Sequence, residues 1–442
     1  MASFAVRGVI EGFYGRPWSG QQRLEVIPRL ARYGFNTFVY GPKDDPLIRD
    51  RWRDLYDDEG LAYLRSLKAA CDDSGVELWY LLAPAFDIEY SRPEEFAALV
   101  NKYAQLYGLG VRSFGLLYDD IPEAFQHDAD RQAYPSLVAA HIDLTHRVHA
   151  ALKGIDAANA LIVCPTEYWG DGSRGYLPAL GRAVPEDVML FYTGDTICAH
   201  TLDAENARRF AAVTGRRPLY WDNYPVNDAH MTCEYHIAPI SGRSVDLWQH
   251  AEGLIANPME LLESSMIALY TIGEYLTDPT GYDAHASHGR AIADVLGGAD
   301  VPGAAYVPAL RALSDMCYKS CLTRHFEQFP PDGPGSGHHD AFLALAGTSG
   351  GAPAIRGGLI DWARKNAALV TSLESCPNLA FVEESRPWRE SALAFCRAVE
   401  SDLRSCTTDA LSDYLRDPLD VMQYEARLLI ERIESGGIAC AT

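Results

Sequence analysis

Three features of the amino-acid sequence predict a protein of class α/β, a (β/α)8 TIM barrel followed by an α-helical bundle domain. Eight short apolar runs alternate with longer helical patterns through the first three-quarters of the chain. Polar and aromatic residues gather directly after those runs, where a barrel collects its chemistry. After about residue 300 the alternation stops and amphipathic helical patterns take over. The boundary is placed to give a barrel over 1–295 and a helical domain over 296–442. A doubly wound sheet is the lesser alternative, because it also alternates strand and helix.

The strand candidates are 6–10, 37–40, 77–82, 113–118, 161–164, 188–192, 218–221 and 253–255. Their length and near-continuous apolar character suit parallel strands buried on both faces. The eighth is the weakest because it is short. Helical patterns lie between them at 21–33, 60–74, 93–107, 136–152 and 204–214, and 259–276 follows the last. Beyond residue 300, amphipathic patterns at 306–326, 360–373, 388–399 and 411–433 surround a Pro- and Gly-rich loop at 330–337. They carry no constellation of catalytic type, and their apolar faces leave a surface on which two chains could pair as a homodimer.

The chain has 442 residues, 48% hydrophobic and 22% charged, which suits a folded protein with a large core. Its 38 Lys+Arg against 60 Asp+Glu give a net charge of −22, which repels phosphate backbones and anionic lipid. Neither nucleic acid nor a membrane is expected as a partner. No apolar run is long enough to cross a bilayer, and residues 1–7 lack the basic start and apolar stretch of an export signal. The ten cysteines are scattered without Cys-x-x-Cys pairs, which points to reduced thiols and a cytoplasmic location.

The chemistry centres on residues 113–122, Ser-Phe-Gly-Leu-Leu-Tyr-Asp-Asp-Ile-Pro. An Asp-Asp pair is weak evidence alone, since Asp57-Asp58 and Asp72-Asp73 occur in polar, turn-like or helix-end surroundings. Asp119 and Asp120 instead leave an apolar strand together. Two carboxylates in that setting cannot ionise independently, and they divide naturally into an acid and a base. Adjacent residues at one strand end do not easily flank a scissile bond from opposite sides, as two-carboxylate glycosidases require. They do suit a sugar whose own 2-acetamido oxygen attacks the anomeric carbon, with one carboxylate holding the amide and its neighbour protonating the leaving oxygen. The other strand ends supply amides, a lysine and aromatic rings, which suit sugar hydroxyls and the apolar face of a pyranose.

The motifs at 8–18 (GVIEGFYGRPW), 42–45 (PKDD), 117–121 (LYDDI), 164–168 (CPTEY) and 221–223 (WDN), with Asn227-Asp228 and Asn257-Pro258, resemble those of the O-GlcNAcase family, glycoside hydrolase family 84. The resemblance covers about residues 5–280, in order, one motif per strand end, and is specific as a set. It implies that Asp119 binds and polarises the acetamide nitrogen. Asp120 would be the general acid, and then the base against an oxazoline intermediate. Cys164, Tyr168, Thr193, Trp221 and Asn223 match positions that line the acetamide pocket or orient the first aspartate. Gly12, Lys43, Asp228 and Asn257 match sugar-hydroxyl binders, with Asp228 on O4 and O6. The region beyond 300 resembles the family's helical stalk more loosely. The chain departs from the family at Tyr224-Pro225-Val226, in a stretch that bears on the aglycone side.

Each assignment has a plainer competitor. Cys164 can be a small buried hydrophobe. Lys43 can pair with Asp44 and Asp45 on the surface. Trp169 and Trp221 can simply pack the barrel rim. His146 and His149 share a helical spacing but lack a carboxylate cluster, so no metal is expected, nor any cofactor. Glu167 is read as a structural acceptor. The leading functional expectation is a retaining β-N-acetylglucosaminidase acting on O-linked GlcNAc of protein or peptide. A hexosaminidase acting on GlcNAc-containing oligosaccharides and a non-catalytic GlcNAc-binding barrel are the alternatives.

Overall fold

The computed structural model describes residues 2–317, apart from 44 and 299, and residues 351–401. The predicted helix at 411–433, the loop at 330–337 and the last part of 306–326 lie outside the described residues.

Eight parallel strands close into a barrel in sequence order: β1 Val6–Glu11, β2 Thr37–Tyr40, β3 Glu77–Leu82, β4 Ser113–Leu117, β5 Ala160–Cys164, β6 Met189–Tyr192, β7 Leu219–Asp222 and β8 Gly253–Ala256. Each predicted run lies on one of them, with ends shifted by at most one residue. The eighth, short in sequence, pairs on both sides, with Leu219 and Val6 opposite Gly253. That seam explains its composition. A Cβ on Gly253 would sit 2.4 Å from both Cβ and the carbonyl oxygen of Val6, so only glycine lets β8 approach β1 this closely.

The barrel interior is a packed core that includes Ile10, Val39, Trp79, Leu81, Leu117, Ile162, Phe191, Leu219 and Ile255. Layers of side chains fill small parallel barrels, so chemistry is confined to the mouth. Outside the strands run α1 Gly20–Arg32, α2 Asp58–Asp73, α3 Pro93–Tyr107, α4 Asp128–Ala133, α5 Leu137–Ile155, α6 Tyr176–Ala183 and α7 Ala204–Thr214. Their starts follow from local chemistry: Ser19 and Gln22 form a reciprocal capping box, while Asp57, Ser136 and Asp203 each accept a backbone N–H of the first turn. α6 escapes the periodicity reading because it is only eight residues long and carries Pro178 near its start.

By packing, the chain divides into two compact units. The first, Met1–Tyr224, Gly242–Glu260 and Ile272–Tyr282, contains the barrel. The second takes Pro225–Ser241, Leu261–Thr271 and the chain from Asp283 onward. Helix α8, Leu262–Thr277, gives residues to both units. In the second unit α9 Ala284–Leu296, α10 Val307–Met316, α11 Gly351–Ser372, α12 Leu379–Glu384 and α13 Arg386–Ser401 are helical; α10, α11 and α13 fall on the amphipathic patterns at 306–326, 360–373 and 388–399, whereas α9 and α12 match none of them. Trp388 stacks on Tyr235 at 4.4 Å and donates its indole N–H to the Cys233 carbonyl at 2.8 Å. The Glu384 carboxylate, its acidity weakened by burial, accepts from the backbone N–H of Glu263 and Ser264 and from the Ser264 hydroxyl.

Candidate active site

The site begins at the end of β1. Glu11 is fully buried and accepts both arms of the Arg23 guanidinium, at 2.6 and 2.7 Å, and the backbone N–H of Trp18 at 3.0 Å. Burial raises the Glu11 carboxyl above its usual range, and the Arg23 contacts oppose that shift. This buried ion pair anchors the loop from Gly12 to Trp18. A Cβ at Gly12 would lie 2.5 Å from Cζ2 of Trp221, so glycine makes room for the indole. Trp221 is itself packed edge-on against Phe191 at 5.2 Å.

β4 delivers the two carboxylates, and they meet different surroundings. Lys43, from the loop after β2, places Nζ 2.6 Å from Oδ2 of Asp119. Both side chains are almost fully buried, so Lys43 serves the strand-end carboxylate rather than a surface pair. Burial alone would lower the Lys43 pKa, but the charge of Asp119, with Tyr14 and Asp120 beyond it, holds it above the ordinary value. The other oxygen of Asp119, Oδ1, is buried and receives no hydrogen bond. Asp120 follows with φ of 53°, in the left-handed region that a non-glycine residue adopts only at a cost. Its two oxygens take neutral donors: the Tyr14 hydroxyl on Oδ2 at 2.8 Å and the Tyr168 hydroxyl on Oδ1 at 3.1 Å. Both phenols are pushed up, first by burial and then, among other causes, by the charge of Asp120. One carboxylate is thus matched with a cation and the other with phenols.

The remaining predicted residues have these surroundings. Cys164, at the end of β5, is buried in the barrel core with its thiol pushed well up by desolvation, which makes it an inert wall. Thr193, after β6, donates its hydroxyl to the Thr196 carbonyl at 2.9 Å and its backbone N–H to Tyr168 at 2.8 Å. Asn223, after β7, donates to the Ile197 carbonyl at 2.8 Å and accepts from Asn257 at 3.0 Å. The Asn257 Oδ1 is buried without a partner, a second orphan acceptor at a strand end. Asp228 belongs to the second unit, where its carbonyl closes a short turn with Met231 N–H. Glu167 accepts from Leu177 N–H and pairs with Arg174, as a structural acceptor does. His146 and His149 engage the Ala183 carbonyl and Asp187 separately.

Tyr14 is the member of this constellation that the sequence reading leaves without a role. It lies within the motif after β1, but only the fold brings residue 14 against residue 120. Behind the pair, Tyr118 stacks on His141 at 4.0 Å with rings 3° apart. His141 bonds Tyr90 and Tyr176 through its two ring nitrogens, at 2.8 and 2.7 Å. Thr166 in turn donates to the Tyr118 carbonyl at 2.8 Å. This buried polar net fixes the backbone from which both aspartates project.

A closed parallel barrel with adjacent carboxylates at its mouth, each held by different donors and set among rings and amides, suits a glycoside hydrolase. Comparison with known proteins specifies which kind: a family model described as beta-N-acetylglucosaminidase matches residues 7–315, and the chain belongs to that family. It is 31% identical over 274 residues to the protein O-GlcNAcases of Rattus norvegicus and Mus musculus, a match covering 61% of this chain and 29% of each of theirs. The chain therefore matches under a third of the length of those relatives. The solved D120N mutant of the Thermobaculum terrenum O-GlcNAc hydrolase superposes with a TM-score of 0.83 at 27% identity, over 98% of this chain and 97% of that one. CpGH84B superposes at 0.77 and 24% identity, over 98% and 74%, which bears on the fold alone. Among the described residues no helix is long and apolar enough to cross a membrane.

Proposed function

We propose that the protein hydrolyses β-linked N-acetylglucosamine from a protein or peptide hydroxyl, with retention, using the substrate's acetamide as nucleophile. The observation that carries this is the buried Oδ1 of Asp119, a carboxylate oxygen without a donor whose partner oxygen is held by Lys43. An acetamide N–H is the donor that such an atom lacks, and accepting it pushes electron density toward the amide oxygen. That oxygen attacks C1 as the C1–O bond to the aglycone breaks, and Asp120 gives its proton to the leaving oxygen. The oxazoline is then opened by water at C1, with Asp120 taking the water's proton. Tyr14 and Tyr168 hold Asp120 through both steps. Trp221, Cys164 and Thr193 wall the acetamide, while Gly12 and Asn257 serve the sugar hydroxyls. Residues 1–295 are read as the catalytic part and 296–442 as a stalk-like helical part, in a cytoplasmic protein. The protein substrate is supported by the names of the relatives above.

The test is turnover of an activated aryl β-GlcNAc beside its GalNAc and glucose counterparts, by wild type and Asp119→Asn. Turnover of the GlcNAc compound alone, lost in the variant, supports the reading. Turnover of the glucoside, which has no acetamide, would overturn it.

A further inference from the structure

We propose that Arg49, seated between Phe86 and Tyr14, forms an aglycone subsite for leaving groups that carry a carboxylate close to the glycosidic oxygen. The inference deepens the proposed function and rests on Asp120 as the group that protonates that oxygen.

Tyr14, Arg49 and Phe86 follow β1, β2 and β3, three consecutive strand ends of the barrel mouth. The Arg49 guanidinium lies 4.4 Å from the centroid of Phe86 and 5.8 Å from that of Tyr14. Its Nη1 donates to the Tyr14 hydroxyl at 3.3 Å, and that hydroxyl donates to Oδ2 of Asp120 at 2.8 Å. Arg49 therefore stands two hydrogen bonds from the carboxylate that serves the leaving group, through the shared Tyr14 hydroxyl. Tyr14 and Phe86 are 38% and 44% exposed, so this face is open to a ligand.

The charge pattern makes Arg49 unusual. Nearby arginines are satisfied by acids: Arg51 by Asp54, and Arg53 by Asp87 and Glu95. Among the described residues no carboxylate pairs with Arg49, although the chain holds 60 acidic residues against 38 basic ones. Stacking on a ring leaves the edge of a guanidinium available, and that planar fork fits a carboxylate with two parallel hydrogen bonds. The rings beside it give the aglycone an apolar face. Since a net charge of −22 disfavours an anion elsewhere on the molecule, the local cation decides whether one is accepted.

The experiment compares two aryl β-GlcNAc substrates of matched phenol acidity, one carrying a meta-carboxylate and the other a meta-carboxamide. Wild type is expected to favour the carboxylate by about tenfold in kcat/KM, mainly through KM, as a charge-assisted pair would give. High salt should shrink that preference. In Arg49→Met the ratio should fall to about one, and Arg49→Lys should retain part of it. The ratio is the readout, because loss of Arg49 also disturbs Tyr14 and lowers both rates. Two further pairs locate the natural source: GlcNAc-Ser peptides flanked by Asp or Asn, and GlcNAc linked to a uronate or to its methyl ester. A preference in the first assigns the carboxylate to a peptide, and in the second to an oligosaccharide. Equal wild-type kcat/KM for the aryl pair, or a preference that survives in Arg49→Met, would overturn the proposal. If neither aryl substrate turns over, the catalytic reading falls and this one with it.

Discussion

At the scale of single residues, the adjacent carboxylates differ in their neighbours. Asp119 pairs through Oδ2 with Lys43 while its Oδ1 is buried without a hydrogen bond, whereas Asp120 accepts from the Tyr14 and Tyr168 phenols. Replacing Asp120 with Asn removes the proton that a poor leaving group needs. Turnover of an alkyl β-GlcNAc is expected to fall by roughly 10² to 10⁴, with a smaller loss on a nitrophenyl substrate that departs unaided. Steady-state kinetics across a leaving-group series checks this, and equal losses across the series would remove the acid role. Gly12→Ala is expected to impair catalysis by a different route. Its methyl group would occupy a point 2.5 Å from the Trp221 indole, forcing the ring out of the pocket wall. Such overpacking costs about 1–3 kcal/mol, so KM for GlcNAc substrates should rise while thermal stability drops modestly. Kinetics and a melting curve on the same variant separate the two effects.

Among the elements, the closure of β8 on β1 is the most exposed to a small change. Gly253→Ala would drive a methyl group against both a side chain and a carbonyl of Val6, neither of which can rotate away. Loss of about 1–3 kcal/mol is expected, measured as a lower denaturant midpoint for the barrel. An unchanged midpoint would show that the seam relaxes. β4 carries the complementary lesson. Its apolar run would build an ordinary strand anywhere, and what fixes the backbone at its end is Tyr118, stacked on His141 and with its carbonyl held by Thr166.

Over the whole molecule, buried histidines couple stability to pH. Burial lowers His141 from 6.5 to about 3, and lowers His288 from 6.5 to about 4. Both stay neutral in the folded state while the unfolded chain binds a proton below pH 6.5. Their contribution is therefore complete above 6.5 and is lost as pH falls toward the folded values, at about 1.4 kcal/mol per pH unit for each group. His236, raised by its contact with Glu234, works in the opposite sense, losing its contribution as pH rises through its folded value. Urea titrations at pH 7 and 5 are expected to show weaker folding at pH 5. His141→Gln, less stable at pH 7, should lose less over the same interval. An identical pH slope in the two proteins would mean that His141 is protonated when folded.

Reading the chain alone reaches the barrel, because eight buried strands and their helices each obey a local rule of periodicity or capping, and those rules act over a few residues. It also singles out Asp119 and Asp120 as candidates, because they leave an apolar strand together whereas the other Asp-Asp pairs stand in polar surroundings. Tertiary structure decided what no local rule contains. Nothing local shows that Gly253 must be glycine for Val6 to approach it, or that Gly12 leaves room for the indole of Trp221. Lys43 has acidic neighbours in sequence, yet its ammonium goes to a carboxylate 76 residues away. Tyr14 and Arg49 carry no signal of their own, because a phenol or a guanidinium acquires a role only from the group the fold sets against it.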